Sequence, residues 1–369
     1  MRGEGGLATQ RAMAFMTGKS FDAATVCTHN FPMRQAPNAP CHAPQKFRFG
    51  SRRIERRDMS KARRGIYAAA VSPFREDGTL HIQKLVAYCQ HLITAGGCDG
   101  VAPTGTTGEG NSISHRDRMA LPGAFADAGF DPSRVIFGTG SCATQDAVDL
   151  TSAAISAGFV NVLALPPFYY KDPGDEGLYA YFSQLVEKVG DDRLRVYLYH
   201  FPQMSMTPIP VDVVVRLKQA FGPVIAGLKD SSGDLSQSLA FAEATGGVDA
   251  GFDVYPSSEA LLFDGLAGGC AGIISGSTNA FGAYSRAAMA APEGPDSDAF
   301  AMVKAARAVA SKYPLMAAMK QMEAWRSGDD SWTRMAPPLV PLGAGQAAGL
   351  KADVEGLEAP VRAGPEKWQ

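Results

Sequence analysis

The sequence predicts an α/β fold, a (β/α)8 TIM barrel with a C-terminal helical appendage, and three observations predict it. From Gly65 onward, short apolar runs alternate with longer amphipathic stretches about eight times in about 230 residues. Most of the runs lack polar alternation, so both of their faces are buried, as in a parallel sheet covered by helices. The first strand-to-helix turn carries no G-x-G-x-x-G fingerprint, which removes the main support for the runner-up, a doubly wound open sheet that binds a dinucleotide.

The apolar runs fall at 66–71, 100–102, 135–138, 161–165, 196–199, 224–229, 248–252 and 271–275. Between them, stretches such as 80–95, 146–157, 175–189, 211–221 and 257–267 repeat apolar residues at three- and four-residue spacing, the period of one helix face. Thr144 and Ser257 or Ser258 are candidate N-caps, with side-chain oxygens available to the first free amides. After the eighth run, helical periodicity continues over 300–310, 315–325 and 347–357. The intervening 335–341 is an extended connector, because its prolines deny the preceding residues a helical conformation. The expected organisation is a basic extension over 1–58, a barrel over 59–292 and a helical region over 293–369.

With 46% hydrophobic and 20% charged residues among 369, the chain has ordinary globular composition. Its longest weakly polar stretches, such as 266–276, are Gly-rich and far short of the roughly 18 apolar residues of a spanning helix. The net charge of −2 conceals an asymmetry: 13 of the 35 Lys+Arg but only 4 of the 37 Asp+Glu precede Gly65. That basic, acid-poor segment lacks hydrophobic periodicity and is expected to be disordered. It reads as an organelle transit peptide, as a basic nucleic-acid tail, or as untranslated sequence before a native start at Met59; the last is favoured. The run from Arg52 to Arg57 lacks the scaffold and aromatic interleaving of specific nucleic-acid readout, so no nucleic-acid or membrane partner is expected. Cys27, Cys41, Cys89, Cys98, Cys142 and Cys270 show no paired spacing, which fits reduced thiols in the cytoplasm, and neither Cys27-x-His29 nor Cys41-His42 has a standard metal spacing.

In such a barrel the reactive groups sit at the C-terminal ends of strands. Lys229 stands there after Val224-Ile225-Ala226-Gly227-Leu228, and it reads either as a snorkelling strand-end lysine or as a Schiff-base nucleophile whose amine apolar walls keep neutral. Gly105-Thr106-Thr107-Gly108-Glu109, after the second run, reads either as a carboxylate-sized anion pocket or as a tight turn whose threonines cap the next helix. Pro166-Pro167-Phe168-Tyr169-Tyr170 forms a rigid aromatic loop, and at least one of its phenols is expected at a polar site or subunit contact. Tyr199 ends the fifth run, either as a proton shuttle or as a buried tyrosine satisfied by a carbonyl, while His200 alternates to the opposite side and reads as structural. The small-residue segment Ile274-Ser275-Gly276-Ser277-Thr278-Asn279 leaves room for a ligand.

These places, in this order, resemble the dihydrodipicolinate synthase and N-acetylneuraminate lyase family of Schiff-base-forming barrels. The resemblance runs from Gly65 to the C-terminal helices and rests on Gly105 to Glu109, Tyr199-x-x-Pro202, Gly227-Leu228-Lys229-Asp230, Asn279 and the 334–339 connector. It implies that Lys229 forms an imine with pyruvate or another 2-oxo acid and that Tyr199 is its acid/base partner. Thr106 and Thr107 would bind the carboxylate within the turn opened by Gly105, and Ile274 would line the pocket. It also implies that Tyr169, or its neighbour Tyr170, is lent across a tight dimer interface to a relay with Thr106 and Tyr199, in a homodimer or homotetramer. No cofactor or metal is implied.

One departure bears on substrate. Synthases of the family carry an arginine two residues after the proline of Tyr-x-x-Pro, and here that substrate-facing position is Met204, as in the lyase branch. Cleavage or formation of a 2-oxo-3-deoxy sugar acid is therefore the first expectation. The alternatives are condensation of pyruvate with aspartate semialdehyde by a dihydrodipicolinate synthase, and a non-catalytic 2-oxo acid sensor.

Overall fold

The computed structural model describes residues 64–357; the expected extension over 1–58, the start at Met59, Cys27 and Cys41 lie outside the described residues. The strands β1 (Gly65–Ala68), β2 (Gly100–Val101), β3 (Phe137–Gly138), β4 (Asn161–Ala164), β5 (Arg195–His200), β6 (Ile225–Asp230), β7 (Asp253–Pro256) and β8 (Gly272–Ser275) pair in parallel as two sheets, β2-β1-β8 and β3 through β7. Two seams join the sheets. At one, Val101 bridges Val135 and the Ile136 amide donates to the Val101 carbonyl at 3.0 Å; at the other, the Ala271 amide donates to the Val254 carbonyl at 2.8 Å. Strand order therefore runs β1 to β8 and back to β1, the (β/α)8 ring.

The period-two alternation of a strand divides the apolar residues into two sets. Tyr67, Ala69, Leu163, Tyr197, Tyr199, Tyr255 and Ile274 cluster inside the ring, joined by Ala226, where a register shift between β5 and β6 interrupts the alternation. Ile66, Ala68, Val162, Val196, Leu198, Leu228 and Ile273 belong to the larger core beneath the helices. By the same alternation Lys229 points inward and His200 outward. Gly227 is what lets the ring accept its tyrosines, since a Cβ there would lie 2.2 Å from the Asp253 carbonyl oxygen and 2.8 Å from the Tyr197 ring.

Helices α1 (Ile82–Thr94), α2 (His115–Asp127), α3 (Thr144–Ser156), α4 (Gly174–Val189), the single turn α5 (Pro202–Ser205), α6 (Val211–Phe221), α7 (Leu235–Thr245), α8 (Leu262–Ala267) and α9 (Thr278–Ala290) accompany the strands. The appendage comprises α10 (Asp298–Ser311), α11 (Leu315–Ser327) and α12 (Ala344–Glu355). Their apolar stripes explain the packing: α1 buries Leu85, Tyr88, Cys89 and Leu92, one face at helical spacing, each large side chain contributing about 1.5–3 kcal/mol of burial. Side-chain caps fix several starts, with Ser114 accepting from the Asp117 amide at 3.1 Å and Ser297 from the Phe300 amide at 3.1 Å. No described helix is long and apolar enough to cross a membrane.

Three expectations need correction. The seventh run at 248–252 is not a strand: Gly247–Ala250 forms a 3-10 turn between glycines of positive φ (Gly246 and Gly251), and β7 starts only at Asp253. Thr144 is the first helical residue of α3 rather than its cap, which is Ala143. Ser258 precedes a 3-10 turn, Glu259–Leu261, with no side-chain cap bond, and α8 begins after it.

Candidate active site

Lys229 lies one residue from the end of β6, beside Tyr199 one residue from the end of β5, because the register of the two strands pairs them directly. Both side chains enter the barrel mouth, where Lys229 is 2% exposed. The Lys229 amine donates to the Tyr199 phenol at 3.2 Å, and the phenol donates to Thr106 Oγ1 at 3.2 Å. The amine also lies 4.4 Å from the centre of the Tyr199 ring, so that one residue supplies both a proton acceptor and a polarisable wall. This chain of amine, phenol and hydroxyl brings together three of the expected residues from three strand ends.

No carboxylate of the described residues lies within ion-pairing distance of Lys229. Asp230, its sequence neighbour, faces outward, accepting from the Ser232 amide at 2.8 Å and from Ser238 Oγ at 2.6 Å. That wiring makes Asp230 the organiser of the loop that follows the lysine, not its counter-ion. His200 also faces outward, accepting from the Ile209 amide at 3.1 Å through Nδ1 and packing edge-on against Phe241, so its role is structural as expected. Burial holds the His200 imidazole below its ordinary range.

The turn after β2 is built around two non-glycine residues in the left-handed region, Thr104 (φ 58°) and Glu109 (φ 54°). Thr104 Oγ1 donates to the Gly138 carbonyl at 2.9 Å, and Ser72 Oγ donates to the Gly108 carbonyl at 2.6 Å. Gly105 is buried in the turn, and Thr107 lies against Gly276, where an added Cβ would come within 3.0 Å of the Thr107 hydroxyl. The threonines do not cap the next helix; Ser114 does.

Other expected residues sit differently. Ile274 is buried inside the ring, as a pocket floor requires. Met204 is on α5 and 55% exposed; Tyr169 and Tyr170 are 72% and 77% exposed, with their rings edge to face, 5.3 Å apart. Within one chain, then, neither phenol reaches the Tyr199 relay. At the end of β8 and in the loop after it, several polar side chains are already engaged within the protein. Ser275 and Ser277 donate to the buried Glu259 at 2.9 and 2.8 Å, while Asn279 ties Val71 and Ala69 of the loop after β1 to Gly276.

Sequence reasoning missed a second buried lysine. Lys320 of α11 and Glu109 form an ion pair with both side chains 0% exposed. The same amine donates to the Arg334 carbonyl at 2.5 Å, while the other oxygen of Glu109 accepts from the Ala336 amide at 2.8 Å. Burial pulls the Lys320 amine below its usual range against the opposing effect of Glu109. Only the family-like pattern at 334–339 hinted that this region touches the site.

A profile of the dihydrodipicolinate synthetase family matches residues 62–352. The chain belongs to that family. An uncharacterized DapA-like lyase of Chloroflexus aurantiacus is 36% identical to it over 300 residues, 80% of this chain and 97% of that one. The crystal structure of dihydrodipicolinate synthase from Agrobacterium tumefaciens superposes with a TM-score of 0.72 at 32% identity, covering 79% of this chain and 99% of the other. YagE, a prophage protein of the same family from E. coli K12 in complex with pyruvate, reaches a TM-score of 0.71, and at 24% identity, over 80% of this chain and 98% of its own, it bears on the fold alone. With a lyase among its relatives in that family, this chain is a carbon-carbon or carbon-oxygen lyase on a TIM barrel.

Proposed function

We propose that the protein forms a Schiff base between Lys229 and a 2-oxo acid, and that it cleaves or forms a 2-oxo-3-deoxy sugar acid with pyruvate as the shorter product or substrate. The observation that carries this is the continuous chain from the Lys229 amine through the Tyr199 phenol to the Thr106 hydroxyl.

In the cleavage direction the neutral amine attacks C2, giving a carbinolamine. Its hydroxyl leaves as water once Tyr199 has delivered a proton, and the protonated imine results. The C4 hydroxyl then gives its proton to the Tyr199 oxygen as the C3–C4 bond breaks, and the electron pair moves to the imine nitrogen as an enamine. An aldehyde departs; protonation at C3 and addition of water release pyruvate and restore the amine. Thr106 and Thr107 hold the carboxylate through hydroxyl and amide donors of the strained turn. On this reading the Thr106 hydroxyl passes its proton to Tyr169 of the partner subunit, which accounts for a phenol left 72% exposed in one chain and makes the protein a homodimer or homotetramer, in the cytoplasm.

A second reading is the synthase reaction, pyruvate condensing with aspartate semialdehyde, favoured by relatives that are named synthases. Met204, which offers no charge to a second carboxylate, ranks it lower. Release of pyruvate from a panel of 2-oxo-3-deoxy sugar acids tests the proposal: turnover of at least one is expected, together with poor turnover of aspartate semialdehyde. Robust condensation with aspartate semialdehyde and no release from the panel would reverse the ranking.

A further inference from the structure

The reactive turn ends in a residue whose left-handed backbone conformation is uncommon outside glycine, asparagine and aspartate. Glu109 has φ 54° and ψ 32°, and such conformations persist only where surrounding contacts over-determine them. At Glu109 those contacts come from the far end of the chain. One carboxylate oxygen takes the Lys320 ammonium and the other takes the Ala336 amide at 2.8 Å. Lys320 in turn holds the Arg334 carbonyl at 2.5 Å and sits 4.5 Å from the centre of the Phe74 ring, two residues beyond Ser72, the residue that anchors Gly108.

A fully buried ion pair is a poor device for stability, because desolvating two charges offsets most of their attraction, and apolar replacements are often neutral. Its advantage is direction: the two charges, the Arg334 carbonyl and the Ala336 amide, held at fixed angles, allow one backbone path and no other. The pair sits three residues from Thr106 along the turn, and the Glu109 amide donates to the Thr106 carbonyl at 3.0 Å. Displacement at Glu109 is thus passed to the residue that receives the Tyr199 proton.

We propose that Glu109 and Lys320 are positioning residues for the reaction, with helix α11 and the 334–336 segment setting the geometry of the carboxylate-binding turn and so making the appendage part of the active site. The inference rests on the Schiff-base reading, and its test separates the two. The probe is pyruvate with borohydride, followed by the rate of labelling at Lys229 as pyruvate is titrated.

In the charge-free variant Glu109→Gln/Lys320→Met, the pyruvate concentration for half-maximal labelling is expected to rise about tenfold or more, the scale on which a small misplacement acts. The maximal labelling at Lys229 should persist, and thermal unfolding should remain cooperative. A folded double variant that labels at the wild-type pyruvate concentration would overturn the proposal. A double variant that does not fold would overturn it as well, since the pair would then be a stability element. Absence of any label in the wild-type protein would instead remove the Schiff-base reading and leave the geometry of the pair untouched.

Discussion

The Lys229 amine and the Tyr199 phenol are 3.2 Å apart because β5 and β6 pair these two residues in register. A one-residue slip would turn either side chain to the outer face and separate them. Nucleophile and proton carrier are therefore placed by two adjacent strands rather than by a mobile loop, and the strongest predictions concern that pair.

Tyr199→Phe keeps the ring and the barrel packing and removes only the hydroxyl. Pyruvate release should fall roughly 100- to 10,000-fold, the range of a general acid/base, with little change in thermal unfolding. Wild-type turnover in this variant would assign the proton transfer elsewhere.

Thr106→Val preserves the shape of the side chain but breaks the second link, Tyr199 to Thr106 at 3.2 Å. A loss of about tenfold in turnover is expected, the value of one hydrogen bond. An effect as large as that of Tyr199→Phe would mean that Thr106, not Tyr199, carries the critical proton.

Gly227→Ala tests the barrel interior, since its Cβ would meet the Asp253 carbonyl at 2.2 Å, a backbone atom with no freedom to yield. Overpacking of this kind costs about 1–3 kcal/mol, so the melting temperature should drop clearly. An unchanged melting temperature would contradict the packing described at the base of the barrel.

Asp253 predicts a pH dependence of stability. It is buried at the start of β7, and burial pushes its carboxyl up to about 6, against a hydrogen bond from the Tyr197 phenol at 3.4 Å and the charges of Arg64 and Lys218. A raised carboxyl favours the protonated form in the folded state, so its contribution is full below the ordinary value of 3.8 and is lost as pH climbs through about 6. Asp253→Asn, which mimics the protonated form, should therefore gain stability relative to wild type between pH 4 and pH 7, by about 1–3 kcal/mol. A gap that narrows as pH rises would refute the assignment.

Much of the site was legible because Lys229 and Tyr199 each end their own run of buried apolar residues, and strand-end placement decides function in this fold. Strand-end placement singled out Lys229 and Tyr199, and alternation put His200 on the side opposite Tyr199. What the sequence hid had physical reasons. Val248 and Phe252 looked like a strand because they are apolar, whereas glycines at 246, 247 and 251 turn the chain there and the real strand opens with a charged residue, Asp253. Lys320 and Glu109 are 211 residues apart, and no local pattern announces a buried ion pair at that separation. The small-residue segment at the end of β8 read as room for a ligand, yet the hydroxyls of Ser275 and Ser277 are taken by Glu259.

Borohydride reduction in the presence of pyruvate, read by peptide mass spectrometry, decides whether Lys229 forms the Schiff base. A single pyruvate adduct on Lys229 is expected, lost in Lys229→Ala and slowed in Tyr199→Phe. An adduct on another lysine, or none on any, would contradict it.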